Sequence, residues 1–113
     1  MADLTKAEIR NRVLEHLGVL AAGQGASAED AALVDEAIDS AHERLRKFGL
    51  VPFATSAVPP WAQIPLRDYV AGDVGHAFGF GDSFKPGQVA AERELAKQVA
   101  GYRHNITTRS TPY

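Results

Sequence analysis

Two Asp-x-x-His pairs have the residue types and spacing closest to chemistry: Asp39 with His42, and Asp73 with His76. A spacing of three puts carboxylate and imidazole on one face of a helix. Helical bundles hold carboxylate-bridged metals with such residues, a Glu-x-x-His from two helices and a Glu from each of two others. The angular positions here argue against that use. At about 100° per residue, Asp39 falls about 140° from the centre of its helix's apolar stripe and His42 about 80°. Those are solvent or flanking positions, not a bundle interior. The expectation is a solvated charged face with no metal and no cofactor.

Other catalytic patterns fail in the same way. Gly79-Phe80-Gly81 lacks the preceding strand and the helix start that would cradle a phosphate, so it reads as a helix-ending turn. No G-x-S-x-G, H-E-x-x-H or P-loop occurs, and nothing ties a Ser and a His to an acid as a triad. The chain has no cysteine, which removes disulfides, thiolate nucleophiles and Cys-ligated zinc. It is expected not to be an enzyme and to act by binding other macromolecules.

These residues must sit on a fold, and the bulk numbers bound it. The length, 113 residues, points to one domain able to bury its own core. Hydrophobic residues make 45% and charged residues 23%, as in an ordinary globular chain. The formal net charge is -2, and the 12 Lys and Arg are scattered rather than clustered as a free duplex-DNA binder needs. The opening MADLTKAEIR is charged and holds no apolar stretch of the secretory kind. No apolar run approaches the ~20 residues that span a bilayer, so no membrane partner is expected.

Helical signals run along the whole chain. Thr5 and Glu8 form a T-x-x-E capping box, followed by Ile9, Val13, Leu17 and Leu20 at helical spacing and by Gly18 as a stop. Residues 21–26 (AAGQGA) read as a loop. A second helix starts at Ser27, with Asp30 three residues on, and carries the stripe Val34, Ala37, Ile38, Ala41, Leu45 and Phe48. Glu29 and Asp30 open it, Arg44, Arg46 and Lys47 close it, and Gly49 caps it, all in accord with the helix dipole. Residues 50–60 (LVPFATSAVPP) hold three prolines and predict an extended crossover.

The third helix starts near Pro60 or Pro65 and carries Leu66, Tyr69, Val70, Val74, Ala77 and Phe78. Gly72 and Gly75 inside it predict close packing. Residues 79–84 (GFGDSF) read as a turn. The fourth helix is expected from about Pro86 to Tyr102, with Val89, Leu95, Ala96, Val99 and Tyr102 facing inward. The fold class is therefore all-α: a small four-helix bundle over 1–103, with an extended C-terminal docking arm over 104–113. That arm, HNITTRSTPY, has no helical period. It reads as a tail or a segment that orders on a partner.

Two further features carry paired readings. The acidic run Asp35, Glu36, Asp39 and Glu43 reads first as the outer face of an amphipathic helix, and otherwise as an acidic surface lining a pore or meeting a basic partner. Trp61, after two prolines, reads first as a core anchor and otherwise as an interface contact.

Taken in order, several blocks carry a family likeness: L-T-K-x-E-I at 4–9, H-L-G-V at 16–19, V-D-x-A-x-D-S-A at 34–41, L-x-x-F-G-L at 45–50, I-P-L-R-D-Y-V-A at 64–71 and T-P-Y at 111–113. The pattern resembles the head-to-tail adaptor (head completion) proteins of tailed double-stranded DNA phages and gene transfer agents. It is most similar to the tail-accessory, packaged-DNA-stabilisation type.

The resemblance implies a virion protein at the head-tail junction, assembled in the host cytoplasm. Such an adaptor docks on the portal protein as a ring of identical subunits, twelve-fold as family members usually are. It extends the channel, helps retain packaged double-stranded DNA without reading its sequence, and offers a platform to the next tail component. The C-terminal arm of such proteins reaches onto the portal or a neighbouring subunit. Here that implies Arg103, His104, Ile106, Thr107, Thr108, Arg109 and Tyr113 as contact residues. The alternative is a small helical DNA-binding or regulatory module, against which stands the acidic outer face of the second helix.

Overall fold

The computed structural model describes the backbone of residues 2–21 and 23–110 and the side chains of 2–21 and 23–101. Four α-helices follow one another: α1 (Lys6–Leu17), α2 (Ala28–Lys47), α3 (Pro60–Val74) and α4 (Lys85–Ser110). A 3-10 turn, Gly75–Phe78, extends the end of α3. The protein is a small all-α bundle, with no strand among the described residues beyond an isolated antiparallel bridge between Leu4 and Val58. Helix α3 is central: it packs against α1, α2 and α4, while α1 and α2 also pack on each other.

Local chemistry explains where α1 and α2 begin and end. The Thr5 hydroxyl accepts from the Glu8 amide at 3.3 Å, and the Thr5 amide donates to Glu8 Oε1 at 3.0 Å. Both arms of the capping box are thus made. Hydrogen bonding from the Thr5 backbone, then from its side chain, holds the Glu8 carboxyl below its ordinary value of 4.5. Ser27 caps α2 by accepting from the Asp30 amide at 3.2 Å. Both helices stop on a left-handed glycine. At Gly49, φ is 73°; its amide donates to the Arg46 carbonyl at 2.9 Å, and the Leu50 amide donates to Leu45 at 3.0 Å. That is a Schellman turn, and it corrects one expectation. Phe48 does not continue the α2 stripe but is 63% exposed, and Leu50 packs against the core in its stead.

The core joins Ile9, Val13, Leu14 and Leu17 of α1 to Val34, Ile38, Ala41 and Leu45 of α2 and to Ala62, Leu66, Tyr69, Val70, Ala71 and Val74 of α3. Val51 and Val58 of the crossover close one side. Gln63, the one buried polar side chain among the described residues, donates to the carbonyls of Ala2 at 3.0 Å and Val58 at 3.1 Å. It secures the chain entering α1 and the turn into α3.

Helix α4 meets the sequence expectation at Leu95 and Val99 and departs from it at Val89, at Ala96 and in length. Its buried residues are Ala91, Leu95 and Val99, whereas Val89 is 50% exposed and Ala96 is exposed. Glycine explains the phase. A Cβ added at Gly72 would lie 2.4 Å from Gln88 Cβ, so α4 lies tight against α3 at Gln88. Polar Gln88 thereby takes the facing position and turns Val89 outward. Tyr102, expected inward, has its side chain outside the described residues.

The expected extended arm is helical backbone as far as Ser110. The β-branched residues Ile106, Thr107 and Thr108 each disfavour a helix by under ~0.7 kcal/mol, too little to stop one that is already nucleated. Residues 111–113 lie outside the described residues.

Candidate functional site: an aromatic groove beside a polar clasp

The Asp-x-x-His pairs do not converge. Asp39 accepts from Lys6 Nζ at 2.7 Å, while His42 Nε2 lies 2.6 Å from the Phe53 carbonyl and its ring meets Phe53 edge-on. Asp73 turns to Arg44 and Gln88, and His76 is exposed. No cluster of three or more His, Cys, Asp or Glu that could hold a metal forms among the described residues.

The acidic run on α2 is largely met by bases. Asp35 pairs with Arg10 at 3.2 Å, Asp39 with Lys6 and Glu43 with Arg46 at 3.3 Å. Two of those bases belong to α1, a juxtaposition that spacing along α2 does not reveal. Glu36 alone of the four makes no ion pair among the described residues. Lys6–Asp39 and Glu43–Arg46 are exposed and contribute little stability; Arg10–Asp35 is part-buried, and the three together blunt the acidic surface that the sequence suggests.

A polar clasp ties three helices. Arg44 of α2 donates to the Tyr69 hydroxyl of α3 at 2.8 Å and to Asp73 at 3.3 Å, and its guanidinium lies 5.5 Å from the Tyr69 ring centre. The Tyr69 hydroxyl, and after it Asp73, holds the Arg44 guanidinium above its ordinary value. From α4, the Gln88 amide donates to Asp73 Oδ1 at 2.7 Å and to the Tyr69 carbonyl at 3.0 Å. Every member is partnered, so the clasp fixes the register of α2 and α4 on α3. Sequence reasoning missed it. The visible signal was Arg44, Tyr69 and Asp73, which it assigned to a helix end, an apolar stripe and a solvated charged face.

A concavity lies at the other end of α3. A groove of about 610 Å³ is lined by Pro52, Phe53, Pro59, Trp61, Lys97, Gln98 and Gly101. The crossover prolines hold the chain extended and hand it to α3 through Pro59 and Pro60, with Pro60 at the start of the helix. Trp61 therefore projects from the first turn. It is 37% exposed, outside the core cluster, with its indole edge-on to the Phe53 ring at 5.7 Å and 83°. The core-anchor expectation is corrected, and the interface reading is the one this position suits. One turn further on, Ile64 is 60% exposed. Lys97, Gln98 and Gly101 come from α4, which runs on past the groove.

No family model, curated protein or solved structure matches the chain. Of the arm residues assigned by resemblance, Arg103, His104, Ile106, Thr107, Thr108 and Arg109 lie on the last turns of α4 with side chains outside the described residues. Tyr113 lies outside the described residues altogether. No helix among the described residues is long and apolar enough to cross a membrane.

Proposed function

We propose that this chain is a structural head-to-tail adaptor of a tailed double-stranded DNA phage or gene transfer agent. In this reading, identical copies form a ring, twelve-fold like the portal, that docks at the capsid vertex. The ring extends the channel, helps retain packaged DNA and presents a platform to the next tail component. The observation that supports it best is the exposed groove at Trp61, from whose edge α4 runs on toward Ser110. A half-exposed tryptophan in an apolar hollow, beside an exposed isoleucine, is the composition of an interface anchor. The block Pro65-Leu66-Arg67-Asp68-Tyr69-Val70-Ala71, the best piece of the resemblance, supports it differently. Five of those seven residues are buried, so the block speaks for a shared helix core rather than for a docking contact.

The test is sedimentation of the full chain alone and mixed with purified portal rings from the same particle. The expected result is a small species alone that co-sediments with the rings, and weaker association for Trp61→Ala and for a chain ending after Arg103. Absence of the full chain from the ring fraction would sink the adaptor reading.

One observation favours a second reading, a small DNA-binding or regulatory module. After Glu94 the chain carries Lys97, Arg103, His104 and Arg109 and no acid. A protein using that stretch on DNA would bind duplex with a steep dependence on salt. Duplex titrations at two salt concentrations separate the readings.

A further inference from the structure

We propose that His42 is the positioning residue of the Trp61 groove: its imidazole fixes the Phe53 carbonyl and, through the Phe53 ring, sets where Trp61 stands. The inference rests on the docking reading of the Trp61 face and names a residue outside the lining on which that face depends.

The crossover has few bonds of its own. Val51 and Val58 are buried at its two ends, and Val58 is bridged to Leu4. Between them, among the described residues, the main chain makes one hydrogen bond to itself, Ala57 to Ala54 at 3.2 Å, and that bond is local. Pro52 has no amide to offer. His42 of α2 supplies the bond that ties this stretch to a helix, with Nε2 2.6 Å from the Phe53 carbonyl. A carbonyl only accepts, so Nε2 carries the proton and donates. The opposite neutral tautomer would set lone pair against lone pair and leave the carbonyl unpaired, which is costly.

That bond lands on a residue that shapes the groove. Phe53 is part of the lining and meets Trp61 edge-on at 5.7 Å, while the His42 ring meets Phe53 edge-on at 6.1 Å. Rings from α2, the crossover and α3 thus stand in series, and His42 is the member outside the lining. The Phe53 ring is also partly buried against the core. Apolar packing is non-directional and leaves the ring free to turn, whereas the hydrogen bond fixes the main chain that carries it. The Asp39 and His42 pair therefore divides its work: Asp39 meets Lys6 of α1, and His42 holds the crossover.

Trp61 is the only tryptophan in the chain, so its emission and its quenching by acrylamide report on the groove in the free full chain. Two substitutions separate the bond from the ring. His42→Gln removes the ring and places an amide donor as many bonds from Cβ as imidazole Nε2. His42→Phe keeps a ring and removes the donor. Parent-like emission and quenching are expected for His42→Gln, and a red shift with stronger quenching for His42→Phe. Association with portal rings, read by co-sedimentation, is expected to fall roughly fivefold for His42→Phe, the worth of one hydrogen bond, and to be kept by His42→Gln. Nitrogen NMR of the parent's neutral imidazoles, with His42 assigned by the signal that His42→Gln loses, is expected to show the Nε2–H tautomer. Circular dichroism melts establish that both variants are folded.

Parent-like emission in His42→Phe, or a change that His42→Gln does not rescue, would overturn the proposal. An equal change in both variants would show direct quenching by the imidazole and overturn it as well, and an Nδ1–H tautomer would remove the bond itself. The adaptor reading fails separately. If the parent does not join the rings while the emission pattern holds, His42 positions Trp61 and the portal is not its partner. Rings that capture the parent and both variants alike uphold the adaptor and overturn the part of His42 in docking.

Discussion

Gln88 of α4 sits directly over Gly72 of α3, so close that a methyl group on Gly72 would lie 2.4 Å from Gln88 Cβ and 2.8 Å from Cδ. The nearer atom is fixed to the α4 backbone and cannot swing aside. Alanine is the better helix former by ~1 kcal/mol, yet overpacking of this kind costs about 1–3 kcal/mol. Gly72→Ala is therefore expected to lower stability by up to about 2 kcal/mol in urea unfolding. A variant as stable as the parent would show that α4 is free to shift on α3.

Leu45 is fully buried and Phe48, three residues on, is 63% exposed. Leu45→Ala is expected to cost roughly 2–5 kcal/mol, the range for a truncated core leucine. Phe48→Ala is expected to stay within ~0.5 kcal/mol, as for a surface change. Equal costs for the two would place Phe48 in the core and contradict the Schellman turn at Gly49.

The capping box makes a prediction about pH. The folded state lowers the Glu8 carboxyl below its ordinary value, chiefly through the Thr5 backbone amide. Folding thus favours the ionised form. The contribution is complete above the unfolded value near 4.5 and disappears as the pH falls through the lower folded value. Thermal melts from pH 6 down to 3, run in parallel on the parent and on Glu8→Gln, isolate it. The two should differ most at pH 6 and converge in acid. A constant difference would mean that the carboxylate is not the capping group. Thr5→Ala, which removes the other half of the box, is expected to cost about 1 kcal/mol at neutral pH.

The last buried residue of α4 is Val99 among the described residues. A chain ending after Arg103 keeps that contact and a further turn of helix. Its melting temperature is expected within about 4 °C of the parent's, equivalent to under ~1 kcal/mol for a domain of this size. A larger drop would mean that the segment beyond Arg103 holds the bundle together rather than serving a partner.

Helix α1 and the start and body of α2 are legible in the residues because their determinants are local. A Thr with Glu at the third position, a Ser opening a helix, a glycine closing one and a regular apolar stripe all act within one or two turns. Thr5, Glu8, Gly18, Ser27, Ile38 and Leu45 accordingly sit where their neighbours in sequence put them. The candidate site was not legible in that way. Whether Trp61 is an anchor or a surface depends on where Phe53 and Lys97 arrive, 8 residues before it and 36 after. Asp39 and Asp35 read as an acidic face until α1 brings Lys6 and Arg10 against them. The phase of α4 was decided at Gly72, where the absence of a side chain on α3 outweighs the apolar character of Val89. Periodicity along one helix names a face but not its neighbour, and the neighbour sets which residues are buried. Only tertiary packing decides that, because the closest approach of two helices is limited by side-chain volume at the crossing, not by the hydropathy of either strip.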